Sequence, residues 1–106
     1  MKKILGLAAV VSLLVAAPAW AGGSVKILSP ENGATVGQNV TLKVKVTPGD
    51  GLEHYHLFVD NEFQKAVMSE ETSVKLPPGK HMIKAWGASS SHKLLDVSDE
   101  IEVTVH

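Results

Sequence analysis

From Asn39 to Val46 the chain reads Asn-Val-Thr-Leu-Lys-Val-Lys-Val, with an aliphatic side chain at every second position. Val40, Leu42, Val44 and Val46 face one way, while Thr41, Lys43 and Lys45 face the other. A period of two is that of a strand with one face in a core and one in water. The same alternation closes the chain, where Ile101, Val103 and Val105 alternate with Glu100, Glu102 and Thr104 between Asp99 and Val105.

Five more short strands fit around these two, set off by turn residues. Val25 to Leu28 opens the domain, and Pro30-Glu31-Asn32-Gly33 turns it. Thr47-Pro48-Gly49-Asp50-Gly51 ends the Asn39 strand, and the next runs from His54 to Asp60. Asp60-Asn61 turns into Phe63 to Met68, which is followed by Thr72 to Leu76. After Pro77-Pro78-Gly79 comes a longer strand, Lys80 to Ala88, and then a Ser89-Ser90-Ser91 loop. No helix is expected. Seven strands at this spacing predict an all-β fold of two packed sheets, with a small barrel as the alternative. The expected core is Val40, Leu42, Val44, Tyr55, Leu57, Val59, Ile83, Ala85, Ile101 and Val103.

The N-terminal stretch has a different character. Lys2 and Lys3 precede an apolar run from Ile4 to Val15, and Pro18 leads into Ala19-Trp20-Ala21. That order is the one a signal peptidase reads, so residues 1–21 are expected to be a signal peptide, with a retained anchor as the alternative. The 85 residues from 22 to 106 then form a single domain, periplasmic or extracellular, with no membrane attachment after cleavage.

Composition narrows the function. Without Lys2 and Lys3, eight lysines face eleven acids, and the chain has no arginine. A mildly acidic surface of this kind lacks the clustered cations that nucleic acid or an anionic membrane requires. There is no cysteine, which removes thiol catalysis and thiolate metal sites. Any metal site must therefore draw on histidine, carboxylate or methionine.

Several segments resemble bacterial immunoglobulin-like and fibronectin-like extracellular domains: Ser29-Pro30-Glu31-Asn32-Gly33-Ala34-Thr35-Val36, Leu57-Phe58-Val59-Asp60-Asn61, Leu76-Pro77-Pro78-Gly79-Lys80-His81 and Val97 to Val105. The resemblance implies a seven-stranded antiparallel immunoglobulin-like sandwich. The chain also resembles a family of uncharacterised periplasmic domains through His54-Tyr55-His56-Leu57, Pro78-Gly79-Lys80-His81 and His92. It departs from that family in the Ala88 to Ser91 loop, which lacks the Asp often found before the last histidine. This second likeness implies fold and compartment, and no settled activity.

Histidine is the informative residue type. His54 and His56 lie two apart on a strand and share a face. With Tyr55, Leu57 and Val59 inward, His54, His56 and Phe58 are expected on the exposed outer face. On the neighbouring strand, His81, Ile83, Ala85 and Gly87 are expected inward, and Met82, Lys84 and Trp86 outward. Antiparallel pairing within one sheet brings His54 level with Ala88, and His92 follows in the next loop. Three imidazoles are thus expected to converge as ligands for copper or zinc, with nickel also within their chemistry.

A solvated histidine pair on a bare strand face is the competing expectation. His81 is expected to pack inward and bond to backbone. Met82, four residues from Trp86, is too far along its strand to join one site. Ser89, Ser90, Ser91, His92 and Asp96 include the residue types of a hydrolase, but no nucleophile elbow or phosphate loop accompanies them. The expected function is a non-enzymatic binding domain that carries a metal at His54, His56 and His92. The alternative is a protein-interaction or adhesion module using the Phe58 and Trp86 face, or a free sheet edge, toward an unidentified protein partner.

Overall fold

The computed structural model describes residues 23–49 and 51–106. The leader assigned to residues 1–21 lies outside them, as does Gly22. Eight strands are present among the described residues: β1 (Ser24–Ser29), β2 (Thr35–Val36), β3 (Asn39–Thr47), β4 (His54–Val59), β5 (Glu62–Val67), β6 (Glu71–Lys75), β7 (Gly79–Ala88) and β8 (Leu94–Val105). No helix there is long and apolar enough to cross a membrane.

The strands form two sheets, ordered β1-β3-β6 and β2-β8-β7-β4-β5. Between them lies the core that the alternation predicts. All ten expected core residues are buried, joined by Val25, Ile27, Leu52, Val67, Leu76 and Val105. Full burial of each Leu, Ile or Val contributes about 1.5–3 kcal/mol, so these two inner faces hold the sandwich together.

The expectation of seven antiparallel strands is corrected in two places. The additional strand, β2, has only two residues, too few to show a period, and it runs parallel to β8 with Thr35 opposite Thr104. The last strand begins at Leu94 and not at Asp99. Its first half hides its period because β8 bulges: Trp86 pairs with Ser98 and Ala88 with Leu94, leaving 95–97 opposite Gly87. Glycine fits closely there: a Cβ on Gly87 would sit 2.6 Å from Val97 Cγ2 and 2.7 Å from Leu52 Cδ1, and those side chains would have to shift.

β4 lies inside the five-stranded sheet, flanked by β5 and β7. A two-residue turn joins β4 to β5, with Asp60 and Asn61 both at positive φ (51° and 69°), the conformation of a tight type I′ hairpin. Asp60 clips that turn to β7: Oδ1 accepts from the Met82 amide at 2.9 Å, and Oδ2 accepts from His81 Nδ1 at 2.7 Å. On the opposite side of the ring, His81 Nε2 donates to the Pro77 carbonyl at 2.8 Å. His81 therefore bonds backbone as expected, but it is only partly buried and its main partner is a carboxylate.

Candidate metal centre

Strand pairing sets the floor of the site. His54 lies opposite Ala88 on β7, and His56 lies between Trp86 on β7 and Ala66 on β5. The small side chains of Ala88 and Ala66 leave room for the two rings on the outer face.

The expectation that these histidines lie on an exposed face is corrected. His54 is 2% exposed and His56 8%, while Tyr55 between them is buried in the core. β4 is thus buried on both sides. The parity was right; the face itself is covered. The His92 ring stands edge-on to His54 at a centroid distance of 4.8 Å, and Phe63 meets His56 edge-on at 5.2 Å.

The covering segment is a tight hairpin, not an open serine-rich loop. The His92 amide donates to the Ser89 carbonyl at 2.8 Å, and the Ser89 amide donates to the Lys93 carbonyl at 2.9 Å. His92 itself has φ 65°. A turn followed by one left-handed residue is the usual three-residue β-hairpin, in which glycine favours the last position. Histidine is among the non-glycine residues that tolerate it. Ser89 secures the turn further, its Oγ accepting from the Lys93 amide at 3.2 Å and lying 3.0 Å from Ser91 Oγ.

The three expected ligands come together. His54 Nε2 lies 3.2 Å from His92 Nδ1, and His56 Nε2 lies 3.3 Å from the same atom. One nitrogen from each ring falls within 4.8 Å of the others, and no further His, Asp or Glu joins this group among the described residues. Ligands held ~2.0–2.1 Å from a tetrahedral zinc lie roughly 3.3 Å apart, so two of the three edges already have a suitable length.

Glu53 completes the arrangement, its Oε1 lying 3.1 Å from His54 Nδ1. The sequence reading missed this residue. It precedes the strand, where alternation gives no facing, and its place depends on a turn that bonds the Leu52 amide to the Gly49 carbonyl.

Burial pushes the His56 pKa down, and charge on His54 and His92 pushes it the same way. Both effects favour the neutral ring, the form that a metal ion would require. His81 moves in the opposite direction, raised first by its bond to Asp60 and then by the Pro77 carbonyl. On the core side, burial pushes the Tyr55 hydroxyl up to about 12.

Beyond His56 the outer face continues as a row of aromatic rings. Phe58 lies 5.8 Å from Phe63 and 5.5 Å from Trp86, and the Trp86 indole donates to the Leu95 carbonyl inside the β8 bulge at 2.6 Å. Lys84 Nζ sits 4.1 Å over the Trp86 ring. Met82 stands four residues along β7 from Trp86, about 13 Å away at strand rise, and takes no part in the histidine group.

No family model and no curated protein matches the chain. Solved structures do. The fibronectin(III)-like modules of CbhA from Clostridium thermocellum align over 80% of this chain at 18% identity and a TM-score of 0.65. The fold is fibronectin(III)-like. An endo-beta-1,4-mannanase from Thermotoga petrophila aligns over 79% at 16% identity and a TM-score of 0.63. The chain spans 47% of the first structure and 20% of the second. Identities this low carry the fold and nothing finer.

Proposed function

We propose that this chain is a non-enzymatic binding module, exported to the periplasm or the cell exterior, that holds one copper or zinc ion through His54 Nε2, His56 Nε2 and His92 Nδ1. The observation that carries the reading is the convergence of both Nε2 atoms on His92 Nδ1, at 3.2 and 3.3 Å. Without a cation, His92 Nδ1 either carries one proton or offers one in-plane lone pair, and each points along a single line, so it bonds in line with only one of the two Nε2 atoms. A cation at the centre satisfies all three lone pairs. Imidazole nitrogens suit copper and zinc, and three protein ligands leave a coordination position for water.

Isothermal titration of metal-stripped protein with Zn(II) and Cu(II) tests the reading. Saturable binding at one ion per chain is expected, weakening as pH falls below about 6 because protons compete for imidazole. The triple variant His54→Ala, His56→Ala, His92→Ala should abolish it. Unaltered affinity in that variant would refute the assignment.

A second reading, a protein-interaction or adhesion module, draws on Phe63, which is 55% exposed at the end of the aromatic row. It predicts a partner whose binding is lost in Phe63→Ser and indifferent to chelators.

A further inference from the structure

His54 and Glu53 form a pair whose chemistry is set by their surroundings. The His54 side chain has no exposed surface, whereas the Glu53 side chain is 53% exposed, with Oε1 3.1 Å from Nδ1. A carboxylate accepts hydrogen bonds and does not donate them, so this contact requires the proton to sit on Nδ1. A neutral imidazole carries one such proton, which leaves the Nε2 lone pair turned toward His92 Nδ1 at 3.2 Å. The opposite tautomer would place a hydrogen where the ion must bind.

The carboxylate is held in place by its own backbone. The Glu53 amide donates to the Ala88 carbonyl at 2.9 Å, at the base of the hairpin that carries His92. The Leu52 amide is bonded to the Gly49 carbonyl just before it. Both the ligand His92 and the carboxylate behind His54 are thus built on the last residue of β7.

We propose that Glu53 is a positioning residue of the metal centre, fixing His54 as the Nδ1-H tautomer and biasing the site toward divalent ions. The inference rests on the metal-binding reading above. Carboxylates behind histidine ligands orient the ring and raise its basicity, and their loss typically weakens metal binding 10- to 100-fold. The charge acts through one imidazole, roughly 7 Å from an ion bound at ~2.0 Å from Nε2. At that separation it favours a doubly charged ion over a singly charged one.

The test compares wild type, Glu53→Ala, Glu53→Gln and His54→Ala in metal-stripped protein. Zn(II) and Cu(I) affinities are measured by competition with chelators, and the His54 tautomer by long-range proton–nitrogen correlation spectra. Glu53→Ala is expected to lose the Nδ1-H preference and to bind Zn(II) at least tenfold more weakly. Glu53→Gln keeps an acceptor and so keeps the tautomer, but its ratio of Zn(II) to Cu(I) affinity should fall. The melting temperature of metal-free Glu53→Gln should match wild type, since its amide oxygen still accepts from His54 Nδ1.

If Glu53→Ala binds Zn(II) like wild type while His54→Ala does not, Glu53 has no positioning role and the metal reading stands. A weakened Glu53→Ala whose His54 remains the Nδ1-H tautomer also overturns the role assigned here. Wild type that binds neither ion refutes the metal reading and this inference with it.

Discussion

Replacing His92 with glycine separates the proposed ligand from the turn that carries it. At φ 65° a residue with a Cβ costs about 1–2 kcal/mol, a cost that glycine does not incur. Glycine in turn loses roughly 0.5–1 kcal/mol through its freer unfolded chain. The two nearly offset, so metal-free His92→Gly should melt within about 4–8 °C of wild type, the shift that ~1 kcal/mol produces in a domain of this size. His92→Ala removes the same imidazole but keeps the strained φ, and should melt level with the glycine variant or slightly below it. The metal-bound state behaves differently. An ion present at one hundred times its dissociation constant stabilises the fold by about 2.7 kcal/mol, or roughly 10–20 °C here. Removing one of three ligands should weaken binding at least tenfold, which reduces that stabilisation by about half at the same ion concentration. Thermal unfolding by circular dichroism, with Zn(II) and with chelator, reads both quantities. A glycine variant that keeps the full zinc shift would show that His92 is not a ligand. One that melts well below the alanine variant would show that the turn does not demand the left-handed conformation.

Gly87→Ala should destabilise by about 1–3 kcal/mol, the range for overpacking, because its Cβ would meet Val97 and Leu52 side chains at 2.6 and 2.7 Å; denaturant titration measures it. The His81–Asp60 pair should give a pH-dependent stability that His81→Asn removes. The raised His81 contributes fully below the ordinary imidazole value of ~6.5 and fades as pH rises through its folded value, while the depressed Asp60 contributes above ~3.9 and fades as pH falls through its own. Melting temperatures from pH 4 to 9 should show the wild-type advantage over His81→Asn greatest at mildly acidic pH; a flat difference would contradict it. Export should leave a chain beginning at Gly22, seen by mass spectrometry of protein from its native host as the loss of residues Met1 to Ala21; full-length chain in the membrane fraction would support the anchor instead.

Much of the fold was legible because a sandwich strand repeats every two residues, and β3 shows that repeat without interruption. The same period put Tyr55, Leu57 and Val59 inside and brought His54 level with Ala88. It failed wherever the strand is not regular. β2 is too short to have a period, and the β8 bulge sets 95–97 against a single residue, which disguises the strand's first half as loop. The site was legible in identity but not in environment. Parity tells which way His54 and His56 point and says nothing of what lies over them. Phe63 reaches His56 only because the β4–β5 register shifts between Leu57 and Phe58. The hairpin around His92 lacks the glycine that ordinarily marks its last position, so Ser89-Ser90-Ser91 reads as slack chain.

Local departures from ordinary β-sandwich chemistry gather at one end of the five-stranded sheet. His54 and His56 are buried on what would be the water-facing side of β4, which costs hydration unless partners replace it. His92 occupies a left-handed position that glycine or asparagine would fill with less strain. Two ring nitrogens converge on the single Nδ1 of His92, which has one proton or one lone pair with which to meet them. Each departure alone has an unremarkable explanation, as a packed ring, a tolerated turn residue or a shared proton. Together they lie within 4.8 Å, on residues separated by 38 positions in sequence, and a carboxylate sits behind the most buried ring. A fold satisfied by its own contacts has no reason to concentrate its compromises at one point. The cation proposed above would supply one, because it would face all three lone pairs at once and would be held by the residue that strains the turn.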